Sequence, residues 1–276
     1  MRIVVTGAGG GLGRALCAGM PSHHDVIALG HADLDIGDHH AVMQTVPGLC
    51  PDLIVNCAAF TAVDANESDP VRAHRDNAQG PQSLALAARS AGARILQIST
   101  DYVFDGTQTR AYDETDEPLP LSVYGRSKLA GERLVREVTP EHLIVRTGFV
   151  FGGGGDFLSR QLDELAAGRE AAGLEDRVGS PTSVGELAAR LLPLVLTGLP
   201  GTFHIAGPEA TTWFDVLLRC KRIGGFAGQV RPQRASDLGL AAPRPSMSAL
   251  TSVRLPQMPV APMPPLDASL GAMIAR

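Results

Sequence analysis

Ile3-Val4-Val5-Thr6-Gly7-Ala8-Gly9-Gly10-Gly11-Leu12-Gly13 stands almost at the start of the chain. The β-branched run from Arg2 to Val5 reads as a strand, and the stretch from Leu12 to Met20 as a helix. Between them Gly7, Gly10 and Gly13 are spaced Gly-x-x-Gly-x-x-Gly. Backbone without side chains can turn tightly there and approach a pyrophosphate, whose charge then faces a helix N-terminus. A triplet placed between strand and helix points to a dinucleotide site; a tight turn with no ligand is the plainer alternative.

Outward from that turn, strands and helices alternate. Asp25 to Leu29, Asp52 to Asn56, Arg94 to Ser99 and His142 to Arg146 read as strands, and Pro81 to Ala91 and Ser127 to Val138 as helices. The strands lack a polar face of period two, so the expected fold is α/β, a doubly wound parallel Rossmann sheet covered on both sides. The four glycines Gly152 to Gly155 mark a place for the chain to leave the sheet. Val184 to Leu196 reads as a further helix, Thr202 to Ala206 as a short strand. The prolines of Pro256 to Pro265 exclude one continuous helix or central strand, and this Pro/Met segment is expected to be poorly ordered. Residues 1–148 with 183–206 are assigned to the dinucleotide-binding domain. Residues 149–182 with 207–276 are assigned to a smaller C-terminal α/β lobe for substrate.

The 276 residues are 44% hydrophobic and 19% charged, ample for a core, with a net charge of −5. No basic patch suggests nucleic acid or an acidic membrane, so the expected partner is a small molecule. Cys17, Cys50, Cys57 and Cys220 form no metal-ligand spacing and read as reduced, packed thiols. His23-His24 and His39-His40 lack acidic or thiol partners for a metal. With no leader-like start and no run of about 18 apolar residues, a cytoplasmic protein is expected.

Lysine occurs only at Lys128 and Lys221. Lys128 closes Tyr124-Gly125-Arg126-Ser127-Lys128, a Tyr-x-x-x-Lys at the start of a helix, where a spacing of four puts both side chains on one face. Ketone reduction by hydride needs a proton donor. A free tyrosine, with a pKa of about 10, holds its proton too firmly unless a neighbouring ammonium stabilises the phenolate. Thr100, at the carboxyl end of the strand Arg94 to Ser99, is placed to hydrogen-bond a substrate carbonyl; satisfying local backbone is its alternative. Gly30-His31 follows the second strand where an acidic residue would favour NAD, so NADPH is the expected cofactor and NADH the alternative, with Asp35-Ile36 beside the adenine. Arg244 is read as meeting a substrate pyrophosphate or forming a salt bridge, and Trp213 as core of the lobe rather than a base-stacking platform.

These segments together resemble the dTDP-4-dehydrorhamnose reductases, a branch of the extended short-chain dehydrogenases. The likeness runs from Thr6-Gly7 to Gly13 through Val55 to Asp64, Ser99 to Gly106 and Pro120 to Glu132. It continues in Arg146-Thr147, Gly179-Ser180-Pro181-Thr182 and Arg244-Pro245. The resemblance implies reduction of dTDP-4-dehydro-L-rhamnose to dTDP-L-rhamnose, a cell-wall polysaccharide precursor. Tyr124 would protonate the C4 oxygen, Lys128 tune Tyr124 and Thr100 polarise the carbonyl. It further implies cofactor contacts at Gly10, Gly11, Leu12, Asp35, Ile36, Ala58, Ala59, Phe60, Thr61, Tyr124 and Lys128, and substrate contacts at Thr100 and Asp101.

Departures from the family pattern bear on the sugar. Gly148-Phe149 replaces Ser-Trp, so Phe149 supplies an apolar wall without an indole N–H, and Arg177 replaces a glutamine. Ala15 replaces an acidic residue that holds an intersubunit magnesium in some members, leaving Glu186, so no such metal is expected; the state is monomer or homodimer. The family's C-terminal tryptophan is missing. Two other readings stay open: a non-catalytic subunit like the regulatory subunit of methionine adenosyltransferase, and a nucleotide-sugar epimerase.

Overall fold

The computed structural model describes residues 1–275; Arg276, the end of the expected lobe, lies outside them. From the N-terminus run β1 (Arg2–Thr6), α1 (Gly11–Gly19), β2 (Asp25–Leu29), α2 (His39–Thr45), β3 (Leu53–Asn56), α3 (Val63–Ser68) and α4 (Pro70–His74). Then come α5 (Gly80–Ala91), β4 (Arg94–Thr100), α6 (Val123–Val138) and β5 (His142–Thr147). The chain leaves the sheet through β6 (Val150–Phe151), α7 (Phe157–Ala166), β7 (Ala171–Leu174), β8 (Val178–Gly179) and β9 (Thr182–Ser183). It returns as α8 (Val184–Leu196) and β10 (Gly201–His204), and finishes with β11 (Thr211–Thr212), α9 (Trp213–Gly224), β12 (Val230–Gln233) and α10 (Leu266–Ile274).

The central sheet has six strands in the order β10-β5-β4-β3-β1-β2, all paired parallel. Chain order reverses at β1, between β2 on one side and β3 on the other, so a crevice opens at the carboxyl ends of β1 and β3. Alternate residues serve two cores. Val5, Val55, Leu96, Leu143 and Val145 pack with Leu16 of α1 and Leu187, Leu191 and Leu194 of α8. Val4, Ile54 and Ile95 pack with Val42 of α2, Leu84 and Ala88 of α5 and Val135 of α6. Each buried aliphatic side chain stabilises by about 1.5–3 kcal/mol, and burial on both faces is why no polar period marks these strands.

The lobe has its own core of Phe151, Leu158, Leu165, Val216, Leu217 and Leu270, on which β7 pairs parallel with β12. The Pro/Met segment departs from expectation. It carries no regular element beyond a short 3-10 turn at Leu255–Gln257, yet Met258, Val260 and Met263 pack against the α1/α8 core. Arg190 of α8 holds it by donating to the carbonyls of Ala261 (3.0 Å) and Pro262 (2.5 Å). A proline-rich chain donates few backbone bonds, but its carbonyls remain good acceptors. Among the described residues, no helix is long and apolar enough to cross a membrane.

Candidate active site

α6 begins at Val123, where the Ser122 hydroxyl accepts from Gly125 N (3.1 Å), so the Tyr-x-x-x-Lys falls wholly within the helix. Tyr124, Lys128 and Glu132, four residues apart, form one stripe against the end of β4, with exposures of 9%, 4% and 0%. Thr100, the last residue of β4, interacts with the Tyr124 phenol and favours its ionised form. Burial outweighs that effect and pushes the phenol up to about 12, with the Asp101 charge adding to it. The lowering expected from Lys128 is not found, because the ammonium donates instead to the Ile98 carbonyl at 2.6 Å. Burial brings Lys128 itself down to about 8, resisted by the charge of Glu132. Tyr102 sets its ring edge-on to Tyr124, with centroids 5.9 Å apart.

Behind this stripe lie polar supports that the sequence reading missed. Glu132 accepts from the Ser99 hydroxyl (2.6 Å), from Arg146 through Nε (2.9 Å) and Nη2 (2.7 Å), and from Arg136 (2.8 Å). Burial opposes its charge, but these partners, Arg146 foremost, hold the carboxyl down at about 2. Along the strand tips Thr6 donates to Asn56 (2.7 Å), Asn56 to Gln97 (2.7 Å) and Gln97 to the Ile98 carbonyl (2.6 Å). Asn77 lies in a π-helical turn, Arg75–Gln79, ahead of α5. It accepts from Phe60 N (2.8 Å) and donates to Ser127 Oγ (3.0 Å), tying the loop after β3 to α6.

Asp101, expected as a substrate contact, is bonded within the protein. It is only 3% exposed, and its carboxylate accepts from Thr100 (3.0 Å) and Ser248 (2.5 Å). Burial raises it to about 6 against those bonds. Gly148 makes the room: a Cβ there would stand 2.5 Å from the carboxylate carbon. Asp101 thus holds Thr100 from behind.

On the cofactor side, Gly7 turns with φ +69° and packs so closely that a Cβ would lie 2.5 Å from Ala58 N. A Cβ on Gly13 would stand 2.4 Å from the Gly7 carbonyl. No side chain caps α1, whose N-cap is Gly10, so its first N–H groups are free to receive a phosphate. The residues present therefore fit a dinucleotide. Gly13→Ala is expected to prise the turn open and weaken NADPH binding at least about tenfold with a lower Tm, read by titration and melting; unchanged affinity would refute the cradle. Ala58 N is held by Asn56 Oδ1 (3.0 Å), and the Phe60 ring lies under the Arg72 guanidinium (4.2 Å), while Thr61 is exposed. The Ile36 side chain is buried in the α2/α5 core, so its backbone is what could border an adenine. Asp35 accepts from Gly37 N (2.9 Å) and lies 3.5 Å from Arg75.

On the lobe side, Phe149 stacks on Trp213 with centroids 4.9 Å apart and planes at 4°. Trp213 packs at the edge of the lobe core, as read above, and Phe149 is held at φ +46°, a strained value for a residue with a Cβ. Arg244, offered above either to pyrophosphate or to a salt bridge, makes the salt bridge. Nη1 and Nη2 each lie 2.6 Å from an oxygen of Asp64, whose carboxyl the guanidinium holds down at about 2. Arg177 pairs with Asp176 (3.2 Å), and Glu186 with Arg190 (2.6 Å).

A doubly wound sheet with a glycine turn after β1, a threonine ending β4 and a Tyr-x-x-x-Lys on the next helix defines an extended short-chain dehydrogenase/reductase. The family model described as "RmlD substrate binding domain" matches residues 1–276. A dTDP-4-dehydrorhamnose reductase of Mycolicibacterium smegmatis is 40% identical over 269 residues, covering 95% of this chain and 81% of that protein. A crystal structure of a dTDP-4-dehydrorhamnose reductase from Clostridium acetobutylicum superposes with a TM-score of 0.96 at 36% identity, covering 100% of this chain and 99% of that one. One from Bacillus anthracis, in complex with NADP, gives 0.95 at 32% identity, covering 99% and 98%. The chain belongs to the dTDP-4-dehydrorhamnose reductase family.

Proposed function

We propose that this chain is an NADPH-dependent oxidoreductase that reduces the 4-keto group of dTDP-4-dehydro-L-rhamnose, giving dTDP-L-rhamnose. The observation that carries this reading is the buried assembly of Thr100, Tyr124 and Lys128 at the carboxyl edge of the sheet, beside the uncapped glycine turn. The nearby relatives named above point to the substrate, and the relative holding NADP points to the cofactor. Residues 1–148 with 183–206 would bind the cofactor and the rest the sugar nucleotide, in a cytoplasmic monomer or homodimer.

The glycine turn from Gly7 to Gly13 would hold NADPH, from which the hydride for C4 would come. Tyr124 gives its phenolic proton to the C4 oxygen, completing a secondary alcohol. A phenol raised to about 12 keeps its proton at neutral pH, and an alkoxide is basic enough to take it. The Lys128 ammonium offsets the phenolate charge left behind. Thr100 donates its one hydroxyl proton to Asp101 in the free protein, and turning that proton to the carbonyl oxygen would stabilise the charge that develops there.

The test is NADPH oxidation with dTDP-4-dehydro-L-rhamnose. Lys128 is cationic below about 8 and loses its charge as pH rises through that value, so kcat should fall on the alkaline side. Lys128→Met should be slower by at least about a hundredfold, with that limb gone. Purified protein that binds NADPH but turns over no such sugar would sink the substrate assignment.

A further inference from the structure

Thr147 ends β5 in register with Thr100 of β4. Leu96 and Thr100 on β4, and Leu143, Val145 and Thr147 on β5, alternate onto one face: the leucines and valine pack on the α1/α8 core, and the two threonines continue that face beyond it. The Thr147 side chain is 5% exposed, yet its hydroxyl is one of the few buried polar atoms among the described residues with no hydrogen-bond partner. Thr100, its neighbour, makes a bond to Asp101 and accepts one from Tyr102 N. An unpaired buried hydroxyl costs stability, and such groups mark sites where a ligand supplies the missing partner.

Resting on the NADPH reading above, we infer that Thr147 is a cofactor-positioning residue, its hydroxyl pairing with the carboxamide of the nicotinamide. The direction of the sheet supports this. From the glycine turn at β1, the sheet edge runs through β3 and β4 to β5, with strands about 5 Å apart. A nicotinamide that delivers hydride beside Thr100 and Tyr124 has its ring over the tip of β4. The carboxamide, a ring substituent, then reaches one strand further, to β5. It carries both a donor and an acceptor, so it satisfies the hydroxyl in either orientation.

The test uses the full chain and two probes: NADPH, and 2′-phospho-ADP-ribose, which lacks the nicotinamide. Thr147→Val keeps the shape and removes the hydroxyl. It should weaken NADPH about five- to tenfold, leave the fragment's Kd unchanged, and hold or raise the Tm of the ligand-free protein, with Thr147→Ser restoring NADPH affinity. Equal weakening of both probes, no weakening of either, or a rise only in the KM for sugar would each overturn the inference. If wild-type protein bound neither probe, the NADPH reading itself would fail.

Discussion

Tyr124→Phe should lower kcat by about a hundred- to ten-thousandfold, the span over which removal of a positioned proton donor acts. The ring stays, with its burial and its edge contact to Tyr102, so the fold and the NADPH Kd should hold. The substitution removes one proton at one atom, and its effect belongs in kcat far more than in KM. Thr100 is bonded to Asp101, whose carboxyl is raised only to about 6 and is ionised at neutral pH, so neither is a ready substitute acid. Steady-state kinetics at neutral pH decide the matter. A loss below tenfold would mean that the proton arrives by another route.

Glu132→Ala should destabilise the protein by about 3–5 kcal/mol, because it strands Arg146, 3% exposed, without a counter-charge. For a chain of this length that corresponds to a Tm lower by on the order of 10 °C, measured by calorimetry. The same carboxylate ties folding to pH. Held at about 2 against an ordinary 4.5, it contributes stability that is complete above 4.5 and lost as pH falls toward 2, so the acid limb of the wild-type stability curve should flatten in the variant. Glu132 also supports the charge of Lys128 one turn away, and its loss should move the alkaline limb of kcat to lower pH. A variant as stable as the wild type would show that the ion cluster contributes little.

Local patterns were legible. The glycine turn, the strands of the sheet, the helix from Val184 to Leu196 and the Tyr-x-x-x-Lys all declare themselves within a few residues. α2 and α4 were overlooked although each carries a readable start: Asp38 accepts from Ala41 N, and Asp69, before Pro70, accepts from Arg72 N. What could not be read joins distant residues. Asp101 meets Ser248 across 147 positions, and Arg244 meets Asp64 across 180. Asn77, in a π turn, meets Phe60 and Ser127 across 17 and 50 positions. Spacing likewise shows that a lysine is near Tyr124 but not where its ammonium points, which is to the Ile98 carbonyl.

The Ile98 carbonyl bears two donors at once, the Lys128 ammonium and the Gln97 amide, each at 2.6 Å. A carbonyl has two lone pairs and needs only one partner to remain satisfied when buried. Lys128 can therefore swing away to a ligand and leave nothing orphaned behind it. The carbonyl is a berth: beside the charge of Glu132 it steadies a buried cation, and because Gln97 stays moored there, the lysine casts off at the cost of its own bond alone.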